Sequence, residues 1–307
     1  MPHRRRAALP VALALAALLA LSALSACSSD NTADSTSSQG WNVVASFYPL
    51  QFVAERVGGD LVNVTNLTKP GVEPHDLELA PQDLGALTDA DLAIYLAGFQ
   101  PAVDDAVAQK SDGQVLDVSG AADLSLTYET GEGALTDPHF WLDPMRMADV
   151  ADEVAATLSQ LDPPAQATFE ANAAALRSDL EDLDTAFRKG LADCERRQLV
   201  TSHTAFGYLA DAYNLEQVGL TGLSPDAEPN PQELATITQF VTDNDVQTIF
   251  YETLASPDVA ETVANATGAS TDVLDPLEGL SDASQGDDYL QVMESNLANI
   301  EAGLPCP

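Results

Sequence analysis

The sequence predicts an α/β protein of two lobes, each with a parallel sheet flanked by helices, joined by one long rigid helix. Three observations carry this. Short β-rich runs alternate with helix-like stretches, the pattern of βα units in parallel sheets. The alternation occurs once in residues 41–161 and again in residues 194–307. Between them, across residues 162–193, apolar residues recur at helical spacing.

Residues 1–27 read as an export signal. Arg4, Arg5 and Arg6 form a positive start, and an apolar run rich in Ala and Leu extends from Ala7 to Leu24. The alternative, a membrane anchor, is disfavoured because small residues precede Cys27 and a polar stretch follows at once. Leu24-Ser25-Ala26-Cys27 resembles a bacterial lipobox, which implies cleavage before Cys27 and a lipid on its sulfur. Residues 28–40 are rich in Ser, Thr, Asp and Asn, the composition of a flexible tether.

The remaining cysteines are Cys194 and Cys306. An even pair in an oxidising compartment forms a disulfide, with two unrelated buried thiols as the alternative. Such a bridge closes a long loop and contributes about 4–5 kcal/mol in the chain-entropy model. The formal net charge is -36, from 12 basic and 48 acidic residues. Losing Arg4–Arg6 leaves 9 basic residues against the same 48 acids, or −39. No basic patch is available for nucleic acid. A field that concentrates cations is the natural consequence.

In the first half the strand-like runs are Val43–Ser46, Val62–Leu67, Asp91–Leu96 and Gln114–Val118, with helical stretches at Leu50–Val57 and Pro81–Thr88. In the second half they are Leu199–Ser202, Leu215–Leu220, Val246–Tyr251 and Ser270–Leu274. Local likenesses support an internal repeat: Pro81-Gln82-Asp83-Leu84 resembles Pro231-Gln232-Glu233-Leu234, and Val115-Leu116-Asp117 resembles Val273-Leu274-Asp275. The linking helix opens at Asp162-Pro163-Pro164, a capping residue followed by prolines where missing N–H groups cost little. Phe169, Leu176, Leu180, Leu183, Phe187 and Leu191 then mark one apolar face. A helix over Ala165–Ala192 spans about 42 Å, a stiff strut where a hinge would be rich in Gly and Ser.

The chain has four histidines; beyond His3, in the export segment, they are His75, His139 and His203. Each sits at a turn or the end of an apolar run, and ligands of parallel α/β lobes bind at the carboxyl ends of strands. Asp275 ends the last strand of the second lobe. Each lobe thus offers two candidate ligands to one cleft: three imidazoles and a carboxylate. Neutral nitrogens with one carboxylate suit a tetrahedral, borderline-soft ion such as Zn²⁺, whereas Mn²⁺ prefers more oxygen. Phe140 and Trp141 read as lobe core. Glu73 is either beside the metal site or in solvent. Tyr251-Glu252 either lines the cleft, packs, or hydrogen-bonds a ligand histidine.

Four segments together resemble the solute-binding proteins of zinc- and manganese-type ABC importers, over nearly all of residues 41–307. They are Pro70-Gly71-x-x-Pro74-His75-Asp76, Asp137-Pro138-His139-Phe140-Trp141-Leu142-Asp143-Pro144, Ser202-His203-x-Ala205-Phe206-Gly207-Tyr208 and Leu274-Asp275-Pro276-Leu277. The resemblance implies two α/β lobes on a single rigid helix, and metal ligands at His75, His139, His203 and Asp275. It implies a non-enzymatic, extracytoplasmic lipoprotein, expected to be a monomer. Such a protein captures a divalent metal and delivers it to a membrane permease. Manganese-preferring members tend to carry a carboxylate where this chain has His203, so Zn²⁺ is the expected cargo and a Mn²⁺ or Fe²⁺ importer the alternative. Some zinc-binding relatives carry a long His-rich loop; here Ala121–Thr136 is short, acidic and free of His. A rival class is a zinc hydrolase with a His₃ site and Asp275 as base. No His-Glu-x-x-His stands in the sequence to support it.

Overall fold

The computed structural model describes residues 40–110, 112–130, 133–225 and 229–306. The export segment, most of the tether and Cys27 lie outside the described residues. Among the described residues no helix is long and apolar enough to cross a membrane.

The first lobe runs β1 (Trp41–Ala45), α1 (Tyr48–Gly58), β2 (Val62–Asn66), α2 (Pro81–Asp89), β3 (Leu92–Tyr95), α3 (Pro101–Val107), β4 (Gln114–Asp117) and the single turn α4 (Ser119–Ala122). A hairpin of β5 (Thr127–Thr130) and β6 (Gly133–Thr136) follows, then α5 (Pro144–Leu161). The linking helix is α6 (Gln166–Gly190). The second lobe runs β7 (Gln198–Thr201), α7 (Gly207–Ala212), β8 (Glu216–Gly219), α8 (Pro231–Asp243), β9 (Thr248–Tyr251), α9 (Asp258–Thr267), β10 (Ser270–Val273) and α10 (Tyr289–Gly303).

Both four-stranded sheets are parallel, ordered β2-β1-β3-β4 and β10-β9-β7-β8. Counted within each lobe, both follow the order second, first, third, fourth, so the repeat seen in the sequence is a repeat of topology. Central strands covered on both faces read as continuous apolar runs. Val43, Val44 and Ala45 of β1 and Leu92, Ala93 and Ile94 of β3 are all buried. The edge strand β2 alternates instead, with Asn63 and Thr65 exposed. The likeness of Pro81-Gln82-Asp83 to Pro231-Gln232-Glu233 is a shared helix start. In each, proline opens the helix and the acid two residues on accepts the N–H of the residue before the proline. These bonds are Ala80 N to Asp83 Oδ2 and Asn230 N to Glu233 Oε2, both 2.9 Å.

Helix α6 is slightly shorter than the sequence pattern suggests, because a 3₁₀ turn at Pro163–Ala165 precedes it. Its 25 residues span about 37 Å. Phe169, Ala173, Leu176, Leu180, Leu183 and Phe187 form its buried stripe. The stripe lies along α5 and α1 of the first lobe and reaches α10 of the second. Near its end Phe187 stacks on Tyr213, 4.9 Å between ring centres. Just beyond it, Cys194 is bonded to Cys306, so the end of the chain is tied to the exit of the linking helix as expected.

One continuous core runs from β1 and α1 through α5 and α6 to Phe206, Tyr208, Phe250, Leu277 and α10. The two lobes therefore share apolar packing, with Phe140 and Trp141 fully buried within it.

Candidate metal centre

The segment Asp137–Pro144 builds one wall of the site, and its residues have separable tasks. Asp137 Oδ1 accepts the backbone N–H of His139 at 3.0 Å and lies 2.7 Å from its ring Nδ1. That bond fixes the imidazole so that Nε2 faces the space between the lobes. Trp141 donates Nε1–H to the carbonyl of Pro276 at 2.7 Å, and Tyr289 donates its hydroxyl to the carbonyl of Trp141 at 2.6 Å. Both bonds cross between lobes. Asp143 caps α5, accepting Met145 N–H at 2.9 Å, and Pro144 takes the first helical position.

His203 lies two residues beyond the end of β7. Its Nδ1 lies 2.8 Å from Glu252 Oε1, which follows β9, and its carbonyl accepts Thr201 Oγ1–H at 2.7 Å. Tyr208, on α7, reaches back and donates to the carbonyl of Asp137 at 3.1 Å. Gly207 makes this approach workable, since a Cβ there would stand 2.5 Å from Asp137 Oδ2. His75 sits in the loop after β2. Its backbone N–H donates to Glu73 Oε1 at 2.8 Å, and its ring meets the edge of Phe99 at 4.7 Å. Gln100 supports the same loop, donating Nε2–H to the carbonyl of Pro74 at 3.2 Å.

The three imidazoles converge on Glu278. Its Oε1 lies 3.3 Å from His75 Nε2, 3.1 Å from His139 Nε2 and 3.3 Å from His203 Nε2. One ligand atom from each of these four residues lies within 4.8 Å of every other. Asp275, the carboxylate expected from the sequence, is not in this cluster. Its Oδ1 accepts Leu277 N–H at 2.8 Å and its Oδ2 accepts the Ser284 hydroxyl at 2.7 Å. Asn296 holds its backbone on both sides, accepting Asp275 N–H and donating to its carbonyl. Asp275 therefore forms a turn. Leu277 adopts φ 55, the left-handed region a bulky residue seldom enters, and the chain turns so that Glu278 enters the cluster. The structure thus gathers Glu278, and not the expected Asp275, with the three histidines, while both Asp275 oxygens accept hydrogen bonds from its own turn and from Ser284.

The electrostatics match the arrangement. Burial drives the Glu278 carboxyl upward, but the three facing imidazoles outweigh it and hold the group well below the usual carboxylate range. Burial drives His203 downward, but Glu252 and Glu278 outweigh it and push the imidazole up to about 10. His139 is raised in the same way, its burial outweighed by Asp137 and Glu278. Glu73 is pushed up to about 9 by burial and by Glu278. Among the described residues the buried atoms His203 Nε2 and Glu278 Oε2 have no hydrogen-bond partner. Orphaned lone-pair donors at the centre of a buried, carboxylate-braced cluster are what a divalent cation satisfies. Three nitrogens and one oxygen suit a tetrahedral ion.

Outside the cluster a cleft of about 950 Å³ opens between first-lobe loops, the β5–β6 hairpin and second-lobe residues Gly222–Ser224. His75 lies on its wall with Phe99, Leu124, Tyr128 and Leu135.

Two α/β lobes sharing one core, with three imidazoles and a carboxylate facing one another between them, define a two-lobed metal-binding protein. The chain belongs to the ZnuA family, described as "Zinc-uptake complex component A periplasmic", whose pattern it matches over residues 43–303. It is 37% identical over 271 residues to the zinc-binding lipoprotein AdcA of Streptococcus pneumoniae, covering 83% of this chain and 54% of that relative. The chain thus spans about half the length of that relative. It is 33% identical over 292 residues to the high-affinity zinc uptake system protein ZnuA of Bacillus subtilis, covering 90% of this chain and 91% of the other. The crystal structure of the Zn(II)-bound ZnuA-like domain of Streptococcus pneumoniae AdcA superposes with a TM-score of 0.74 at 36% identity, covering 86% of this chain and 99% of that one.

Proposed function

We propose that this protein is the extracytoplasmic binding component of an ABC importer. It captures a divalent transition metal, Zn²⁺ before Mn²⁺, between its lobes and delivers the ion to a membrane permease. The observation that carries the reading is the convergence of His75, His139, His203 and Glu278 at one buried point. Family membership and the zinc-binding relatives support it. In this reading Glu278 is the anionic ligand, and Asp137 and Glu252 orient two of the imidazoles. The rival hydrolase would need Asp275 as a base at the ion, and Asp275 is instead engaged with Leu277 and Ser284. We read the chain as a lobe at 41–161, a linking helix at 162–193 and a lobe at 194–307, monomeric and anchored through a lipid on Cys27.

The deciding experiment strips the protein of metal and offers Zn²⁺ and Mn²⁺ together, counting bound ions per chain, with His203→Ala alongside. One Zn²⁺ per chain, lost in the variant, is the expected result. Preferential Mn²⁺ binding would overturn the metal assignment, and stoichiometric binding of neither ion would overturn the transport reading.

A further inference from the structure

The four ligand side chains are not held alike. His139 and His203 are 0% and 1% exposed, and each has a carboxylate oxygen within 2.8 Å of its ring Nδ1. Glu278 is fully buried behind the turned segment Asp275–Leu277. The His75 side chain is 13% exposed. Among the described residues no carboxylate holds its Nδ1; Glu73 binds only its backbone N–H, and Phe99 meets its ring edge. His75 is also the one of the four that lines the 950 Å³ cleft. That volume far exceeds the needs of a bare ion and falls in the range that admits part of another molecule.

We infer that His75 is the exchangeable ligand, and that the metal enters and leaves by substitution at its position through the cleft. His139, His203 and Glu278 form the fixed seat. This rests on the metal-capture reading above. In the exchange, an incoming group donates a lone pair to the metal, raising its coordination from four to five. The bond to His75 Nε2 then breaks, and the imidazole departs neutral with its own lone pair. No electrons are transferred. Among the described residues the cleft wall contains Asp123 and no Lys or Arg. It therefore suits a neutral nitrogen donor better than a multiply charged anion.

The route is tested by transferring zinc from the loaded protein to pyridylazoresorcinol, a small planar chelator with two nitrogen donors and one phenolate oxygen. Exchange at His75 predicts a transfer rate that rises in proportion to chelator concentration. Gly120 lines the cleft, and a Cβ there would meet nothing within 4 Å. Gly120→Trp should therefore obstruct the path and slow transfer several-fold, with equilibrium zinc affinity unchanged. His75→Ala should still take up one zinc per chain but release it faster, whereas His203→Ala should lose stoichiometric binding. A rate independent of chelator concentration would overturn the inference, as would wild-type transfer rates in Gly120→Trp or equal loss of binding in the two histidine variants. Failure of the wild-type protein to hold zinc at all would sink the metal-capture reading itself, a different result from slow, chelator-independent release.

Discussion

Glu278 and Asp275 are three residues apart, both acidic and both buried, yet their tasks differ. Glu278 faces three ring nitrogens, while Asp275 shapes the turn that brings it there. Glu278→Gln removes the charge of the proposed anionic ligand and should weaken zinc binding strongly. Asp275→Asn should have a smaller effect, because Ser284 can still donate to the retained side-chain oxygen. Glu252→Gln, which alters the partner of His203 Nδ1, should cost about 10–100-fold in affinity. Isothermal titration of the three variants checks the ranking, and a larger loss for Asp275→Asn than for Glu278→Gln would restore Asp275 as the ligand. Proton competition sets a second expectation. The metal binds neutral imidazole, and in the metal-free protein His139 and His203 are raised, His203 to about 10. Protons therefore compete well above the ordinary histidine range. Zinc affinity should fall continuously as the pH drops from about 10 to about 6, with proton release on binding. Affinity that is flat across the interval in a competition titration would show that zinc does not displace protons from His139 and His203.

At the scale of elements, the legible parts were those with a strong period. The apolar runs of β1, β3, β7 and β9 announce central parallel strands, and the stripe from Phe169 to Phe187 announces α6. The β5–β6 hairpin was not legible, because β6 is exposed along its length and carries no alternation to read. The three histidines were legible through scarcity and placement at strand ends. Glu278 was not, since it lies beyond a turn and is one acid among 48. The available signal was Asp275-Pro276: had that aspartate been assigned to a turn, the next carboxylate along would have been Glu278. The disulfide is an element-scale device, joining residues 112 apart at the exit of α6 and beyond α10. Its double replacement, Cys194→Ser with Cys306→Ser, should lower stability by about 4–5 kcal/mol in the chain-entropy limit. Denaturant unfolding measures this. Both cysteines lie outside the ligand cluster, so zinc stoichiometry should stay at that of the parent; a changed stoichiometry would mean that the bridge shapes the site.

For the whole molecule, the shared core decides how the lobes can move. A binding protein whose lobes meet only through a flexible connection closes by a large rotation. Here α6 packs along α1 and α5 of the first lobe and also touches α10 of the second. Trp141, Tyr208 and Tyr289 carry hydrogen bonds from lobe to lobe at full or nearly full burial. Separating the lobes would expose this packing and leave those bonds unmade, costs that metal binding at one point would have to exceed. Zinc should therefore tighten the ligand loops and leave the lobe arrangement almost unchanged. The radius of gyration from small-angle scattering should be nearly the same with and without the metal. The same continuity predicts unfolding as one cooperative unit, with tryptophan fluorescence and far-ultraviolet circular dichroism following a single transition. Fluorescence reports on Trp141 in the shared core and Trp41 in the first lobe, whereas dichroism reports on both sheets and all helices. Adding zinc should shift that transition to higher temperature without splitting it, because the ion binds the native state through residues of both lobes. Two separate transitions, with only one moved by zinc, would show that the lobes fold independently. The rigid-body reading of the long helix would then fail.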